Sequence, residues 1–241
     1  MTNVRDRIIV ALDVDSAREA AAIVEELNGR VGAFKVGLQL FTAAGPEFVR
    51  ELTASGAKIF LDLKFHDIPN TVAKASVEAA RLGVWMFNVH AFGGSEMMNT
   101  AVKEVDAACE REGLARPLVI GVTVLTSSNA ETMREMGVGN PIETQVANLA
   151  RLAADSGLDG VVASPLEVPA VRNAVSDDNF LTVTPGIRGN SATGDDQKRV
   201  TTVGRALAGG SDYVVIGRPI TQAPNRIEAA EALILEATEQ I

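Results

Sequence analysis

Eight short apolar, β-branched runs, recurring at intervals of roughly 20 to 40 residues, constrain this chain more than any other feature. They cover residues 7–13, 33–38, 58–63, 85–91, 118–125, 160–164, 180–185 and 213–217. Most stretches between them carry helical periodicity. Ser16 is placed to cap a helix over 16–27, which the pair Asn28-Gly29 stops. Further helices are predicted over 41–55, 71–82 and 143–156, each followed by a glycine. Strands that alternate with helices build βαβ units and a parallel sheet. No Pro- or Ser-rich linker interrupts the 241 residues, and no G-x-G-x-x-G follows the first run. An open dinucleotide-binding sheet therefore lacks its fingerprint. The prediction is an α/β chain folded as a single (β/α)8 TIM barrel domain over residues 1–241, a common size for that architecture.

The formal net charge of −9 disfavours nucleic acid and membrane surfaces as partners, because both are anionic. A phosphorylated ligand would need a local basic focus set against that field. The single cysteine, Cys109, cannot form an intramolecular disulfide and reads as a half-buried structural thiol in a helical stretch. With two histidines and no Cys/His cluster at zinc-ligand spacing, no metal site is expected. The polar amino end has no signal-peptide core. Apolar runs reach about eight residues, against roughly 18 for a membrane span, so a cytoplasmic protein is expected.

Strand alternation sorts side chains into two sets. Ile9, Ala11 and Asp13 share one face; Ala33, Lys35 and Gly37 share the equivalent face of the next run, and Phe60, Asp62 and Lys64 that of the third. The opposite sets, Ile8-Val10-Leu12, Phe34-Val36-Leu38 and Ile59-Leu61-Leu63, are wholly apolar and suit contact with outer helices. Asp13, Lys35, Asp62 and Lys64 are left pointing into the barrel near the C-terminal strand ends. Unpaired charge is costly to bury, and this architecture keeps its active sites at that end. A functional charge cluster is the reading, with a structural ion-pair network as the alternative.

The segment Asp62-Leu-Lys-Phe-His-Asp-Ile-Pro-Asn-Thr71 closely resembles the signature of the orotidine 5'-monophosphate decarboxylase family. The blocks Ile9-Val-Ala-Leu-Asp13, Phe34-Lys35-Val-Gly37, Val122-Thr-Val-Leu-Thr-Ser127, Thr184-Pro-Gly-Ile-Arg188, Gly194-Asp-Asp-Gln197 and Ile216-Gly-Arg-Pro219 extend the resemblance over essentially the whole chain. It implies cofactor-free removal of CO2 from C6 of orotidylate to give uridylate. It implies that Lys35, Asp62, Lys64 and Asp67 form an alternating charge array, with Lys64 as proton donor and Asp67 entering the neighbouring subunit of a homodimer. By the same resemblance Asp13 and Thr71 hold the ribose hydroxyls, Thr71 again across the dimer, and Thr126 lies near the pyrimidine. Gln197, Gly217 and Arg218 then meet the phosphate, and Arg188 is a further substrate position.

That chemistry leaves an electron pair in an sp2 orbital of the ring with no cofactor to delocalise it, so a fixed ammonium is the suitable stabiliser. A glycine after the eighth run, Gly217, lets backbone amides approach a phosphoryl group, and Arg218 can add a bidentate contact. The stretch around Gln197 reads as a loop that closes on substrate. His66 is read as a structural or interface histidine, and His90 with Asn88 as hydrogen-bonding within the barrel. Trp85 marks nothing specific, and a short extra helix is expected over 131–136. Two alternatives stand beside the decarboxylase. One is a magnesium-dependent sugar-phosphate aldolase or decarboxylase of the same barrel group, whose members carry a carboxylate where Lys35 stands. The other is a non-catalytic phosphate-ligand-binding barrel.

Overall fold

In the computed structural model, which describes residues 3–187 and 201–241, eight parallel strands close on one another in chain order. The strands are β1 (Ile8–Ala11), β2 (Ala33–Gly37), β3 (Ile59–Phe65), β4 (Met86–His90), β5 (Leu118–Val122), β6 (Gly160–Val162), β7 (Leu181–Thr184) and β8 (Tyr213–Ile216). Around them lie α1 (Ala17–Leu27), α2 (Leu38–Ala54), α3 (Pro69–Arg81), α4 (Gly94–Glu112), α5 (Ala130–Glu135), α6 (Ile142–Asp155), α7 (Val168–Ala174), α8 (Val203–Ala208), α9 (Arg218–Thr221) and α10 (Arg226–Thr238). β8 pairs with β1 through Val214↔Ile8, which shuts the barrel. The fold is the expected (β/α)8 barrel.

Local chemistry sets the element ends. The Ser16 hydroxyl accepts from the Glu19 N–H and caps α1. α3 opens two residues before its predicted start, because Pro69 fits the first helical turn, where no N–H is needed. α2 also opens early, at Leu38, and bends at Gly45, whose φ of 75° precedes Pro46. β1 ends at Ala11 rather than at residue 13, leaving Asp13 in the loop that follows. β3 runs two residues past its predicted end, to Phe65.

The core is split as the alternation predicts. Ile9, Ala11, Ala33, Phe60, Met86, Ile120, Val183 and Val215 pack together inside the barrel. Ile8, Val10, Phe34, Val36, Ile59, Leu61, Phe87 and Val89 face the helices instead. At the N-terminal end Trp85 meets Tyr213 edge-on, with ring centroids 5.1 Å apart, so Trp85 belongs to the barrel floor. Removing the ring of fully buried Phe60 would cost about 3–5 kcal/mol, through lost burial and the cavity left behind. Cys109 is buried against the outer core rather than half-buried, and burial pushes its thiol up. Among the described residues no helix is long and apolar enough to cross a membrane.

Candidate active site

Four charges meet at the C-terminal mouth of the barrel. The Lys35 ammonium, from β2, lies 3.0 Å from Asp13 Oδ1 and 3.3 Å from Asp62 Oδ2. The Lys64 ammonium, from β3, lies 2.7 Å from Asp62 Oδ1. The side chains of Lys35 and Asp62 are only 11% and 13% exposed, whereas Lys64 is 28% and Asp13 61% exposed. The array thus runs from a buried centre to an open rim, and Lys64 is the cation that a ligand in the mouth can reach. The inward prediction for these residues holds, including Asp13 beyond the strand end.

The backbone at Lys64 explains its placement. β3 and β4 are in register at Leu61↔Phe87 and again at Phe65↔Val89, so β3 carries two more residues than β4 between those points. This bulge puts Lys64 at φ 54°, the one non-glycine with positive φ among the described residues. A left-handed conformation at a residue with a Cβ costs about 1–3 kcal/mol and persists only where surroundings enforce it. Here Asn88, 1% exposed, supplies the enforcement: its Oδ1 accepts from the Lys64 N–H at 2.8 Å, and its Nδ2 donates to Asp62 Oδ1 at 2.7 Å.

Electrostatics keep the buried pair ionised. Burial alone would push the Lys35 ammonium down, but Asp62 and Asp13 outweigh it and hold it above the usual lysine range. Burial would likewise push Asp62 up; Lys35, Lys64 and the hydrogen bonds from Lys64 and Asn88 reverse that and hold it below the usual carboxylate range. His90, on the same face of β4 as Asn88, is lowered by burial and then by His66 and Lys64. Its ring lies 5.5 Å from that of His66. So Asn88 hydrogen-bonds inside the barrel as expected, while the contact of His90 is an aromatic one.

The remaining site residues are placed around this array. Asp67, beyond β3, is exposed, and its Oδ1 accepts from the Ile68 N–H at 2.6 Å rather than pairing with Lys64 of its own chain. Thr71, in the first turn of α3, is exposed too. Thr126 follows β5 and is half-buried. Gly217 follows β8; a Cβ there would stand 3.6 Å from the Ala11 Cβ and 4.0 Å from Asp13 Oδ2, which puts the residue beside the charge array. Arg218 opens α9 and is exposed. Arg188, Gln197 and the segment around Gln197 expected to close on substrate lie outside the described residues.

The profile of the orotidine 5'-phosphate decarboxylase / HUMPS family matches residues 6–233. The chain belongs to that family. It is 52% identical over 232 residues to an orotidine 5'-phosphate decarboxylase of Geotalea daltonii, covering 96% of each chain. It is 53% identical over 232 residues to the enzyme of the same name in Geobacter sulfurreducens, again covering 96% of each. The crystal structure of orotidine 5'-phosphate decarboxylase from Lactobacillus acidophilus superposes with a TM-score of 0.84 at 40% identity, covering 95% of this chain and 98% of that one.

Two residues of this member of the orotidine 5'-phosphate decarboxylase / HUMPS family have a part in the site that sequence reading did not give them. Asn88 was placed facing inward, but its two bonds to β3 depend on a bulge that no pattern of hydrophobicity announces. Gly37 is the other. A Cβ on it would stand 3.1 Å from Lys35 Nζ and 3.5 Å from Asp13 Oδ1, so a side chain there would press on the Lys35 ammonium. The signal that was available is its position, two residues after Lys35 on the same inward face.

Proposed function

We propose that this protein is a cytoplasmic, single-domain enzyme that decarboxylates orotidine 5'-monophosphate to uridine 5'-monophosphate and CO2, the last step of uridylate synthesis, without a cofactor. The observation that carries the proposal is the Lys64 ammonium held at the barrel mouth by Asp62, with Lys35 closing the alternating array. When the bond from C6 to the carboxylate breaks, its electron pair stays on C6. A preorganised ammonium beside C6 stabilises that charge more than it stabilises the substrate, which is the requirement for catalysis. One N–H proton of Lys64 then passes to C6, and the neutral amine recovers a proton from solvent. Asp62 and Lys35 keep the ammonium in place.

Asp13, at the rim and hydrogen-bonded to Lys35, suits a ribose hydroxyl. Thr126 would lie along the pyrimidine. Gly217 and Arg218 after β8, with Gln197 and Arg188, would take the phosphate end; barrels commonly bind phosphate after strands seven and eight. Phosphate contacts far from C6 then contribute binding energy that orders the reacting end.

The enzyme acts as a homodimer with shared sites. Asp67 and Thr71 lie exposed beyond β3, where they are open to a neighbouring subunit. Large apolar side chains also stand exposed after five successive strands: Leu38 after β2, Ile68 after β3, Phe92 after β4, Leu125 after β5 and Leu166 after β6. Ile68 is 66% exposed. Such an apolar rim suits a self-complementary interface.

A magnesium-dependent sugar-phosphate reaction needs a carboxylate where Lys35 stands. Lys35 instead places a built-in cation between Asp13 and Asp62, where a metal would otherwise find its ligands. The test is subunit mixing. Lys64→Ala and Asp67→Ala homodimers should each be nearly inactive on orotidylate, and mixing should restore activity through one intact site per heterodimer. If subunits exchange and activity stays absent, the shared site is wrong. If the wild-type protein forms uridylate only with added magnesium, the cofactor-free reaction is wrong.

A further inference from the structure

The bulge in β3 breaks the ladder to β4 between Leu61 and Phe65, and the Lys64 N–H lies inside that break. A buried N–H needs a partner, and Asn88 Oδ1 provides it at 2.8 Å. The other end of the same amide donates to Asp62 Oδ1 at 2.7 Å, the oxygen that also accepts from the Lys64 ammonium at 2.7 Å. One fully buried side chain therefore grips the main chain of Lys64 and the carboxylate on which its ammonium rests. The orientation is locked, because turning the amide over would set an oxygen against Asp62 and an NH2 against an N–H donor.

Other residue types fail on simple grounds. Aspartate offers acceptors only and would set a second carboxylate against Asp62. Serine is too short to reach both groups, and leucine matches the volume with no polar atoms. We propose that Asn88 is a positioning residue for decarboxylation, fixing Lys64 in its left-handed conformation and fixing the direction of its ammonium toward C6. Asn88 touches no reacting atom and acts through Lys64 and Asp62. The proposal rests on the decarboxylase reading given above.

A residue that only aims Lys64 affects kcat and leaves product binding intact. Uridine 5'-monophosphate, the product, lacks the C6 carboxylate, and its phosphate and ribose contacts are assigned to residues outside β3 and β4. In Asn88→Ala, kcat should therefore fall about 10- to 100-fold, as misplacement of a reacting group by about 1 Å does. The dissociation constant of uridine 5'-monophosphate should stay within about twofold of wild type. Asn88→Asp, matched in volume, keeps the acceptor for the Lys64 N–H but loses the donor to Asp62; its kcat should fall at least as far. It carries the test if Asn88→Ala does not fold. A folded variant of either kind with kcat within about threefold of wild type overturns the proposal. So does a parallel loss of kcat and product affinity, which would mark Asn88 as a general support of the mouth. Wild-type protein that forms no uridylate would instead remove the activity reading and leave the geometry at Asn88 untouched.

Discussion

Lys35 and Lys64 hold opposite oxygens of one carboxylate, Lys35 at 3.3 Å from Asp62 Oδ2 and Lys64 at 2.7 Å from Oδ1. Neither ammonium can shift without disturbing the anion that places the other. Asp62→Asn should consequently misplace both cations. Activity on orotidylate should fall about 100-fold or more, the scale on which preorganised electrostatic groups act. Urea unfolding should show a loss of about 1–3 kcal/mol, the cost of leaving a buried polar group poorly partnered. A variant with wild-type kcat would mean that Lys64 is aimed by something other than this carboxylate.

The pH dependence of stability follows from the two shifts in the buried pair. Asp62 is held below the usual carboxylate range, so its contribution is present above that range and is lost as pH falls through its lowered value. Lys35 is held above the usual lysine range, so its contribution is present below that range and is lost as pH rises through its raised value. The array therefore stabilises the fold across neutral pH and weakens at both extremes. Lys35→Met should lose the alkaline limb of that dependence. Urea midpoints measured against pH for the two proteins give the comparison, and an unchanged alkaline limb would contradict it.

Gly37 tests how tightly the array is fitted. In Gly37→Ala the new methyl would lie 3.1 Å from Lys35 Nζ, so the ammonium must give way by a few tenths of an ångström. Activity should drop roughly 10-fold while thermal stability changes by about 1 kcal/mol or less, because the displaced group is the end of a flexible chain. Steady-state kinetics beside a thermal melt separate the two effects.

The apolar rim predicts a concentration effect. Phe92→Glu puts a charge into the proposed interface without touching the array. Sedimentation should show a shift from dimer toward monomer, and activity per chain should rise with protein concentration. A variant that remains dimeric and fully active at high dilution would move the interface elsewhere.

The fold was legible because strand alternation and helix stops are local signals. The inward and outward sets of β1, β2 and β3 follow from counting in twos, and the segregation of Ile9 and Ala11 from Ile8 and Val10 agrees with it. Element ends were less legible, since β1 stops at Ala11 and α3 starts at Pro69 for reasons of turn geometry. At the site, the charged residues announced themselves because lysine and aspartate are conspicuous in an apolar run. Asn88 and Gly37 did not. The role of one lies in a bulge between two strands, and that of the other in the space its missing side chain leaves, and neither is written in a single segment.

The bulge at Lys64 also fixes what edits the signature hexapeptide can accept. Because β3 gains two residues on β4, and two is the period of a strand, Leu61 and Phe65 both keep facing the helices while Lys64 between them stays inside. An even excess is invisible to the facing of every residue beyond it. Deleting Leu63 would turn Lys64 outward and Phe65 into the charged mouth. Deleting Leu63 and Lys64 together would restore the facing and remove the bulge along with the lysine it presents. The length of this segment is therefore as constrained as its charged side chains.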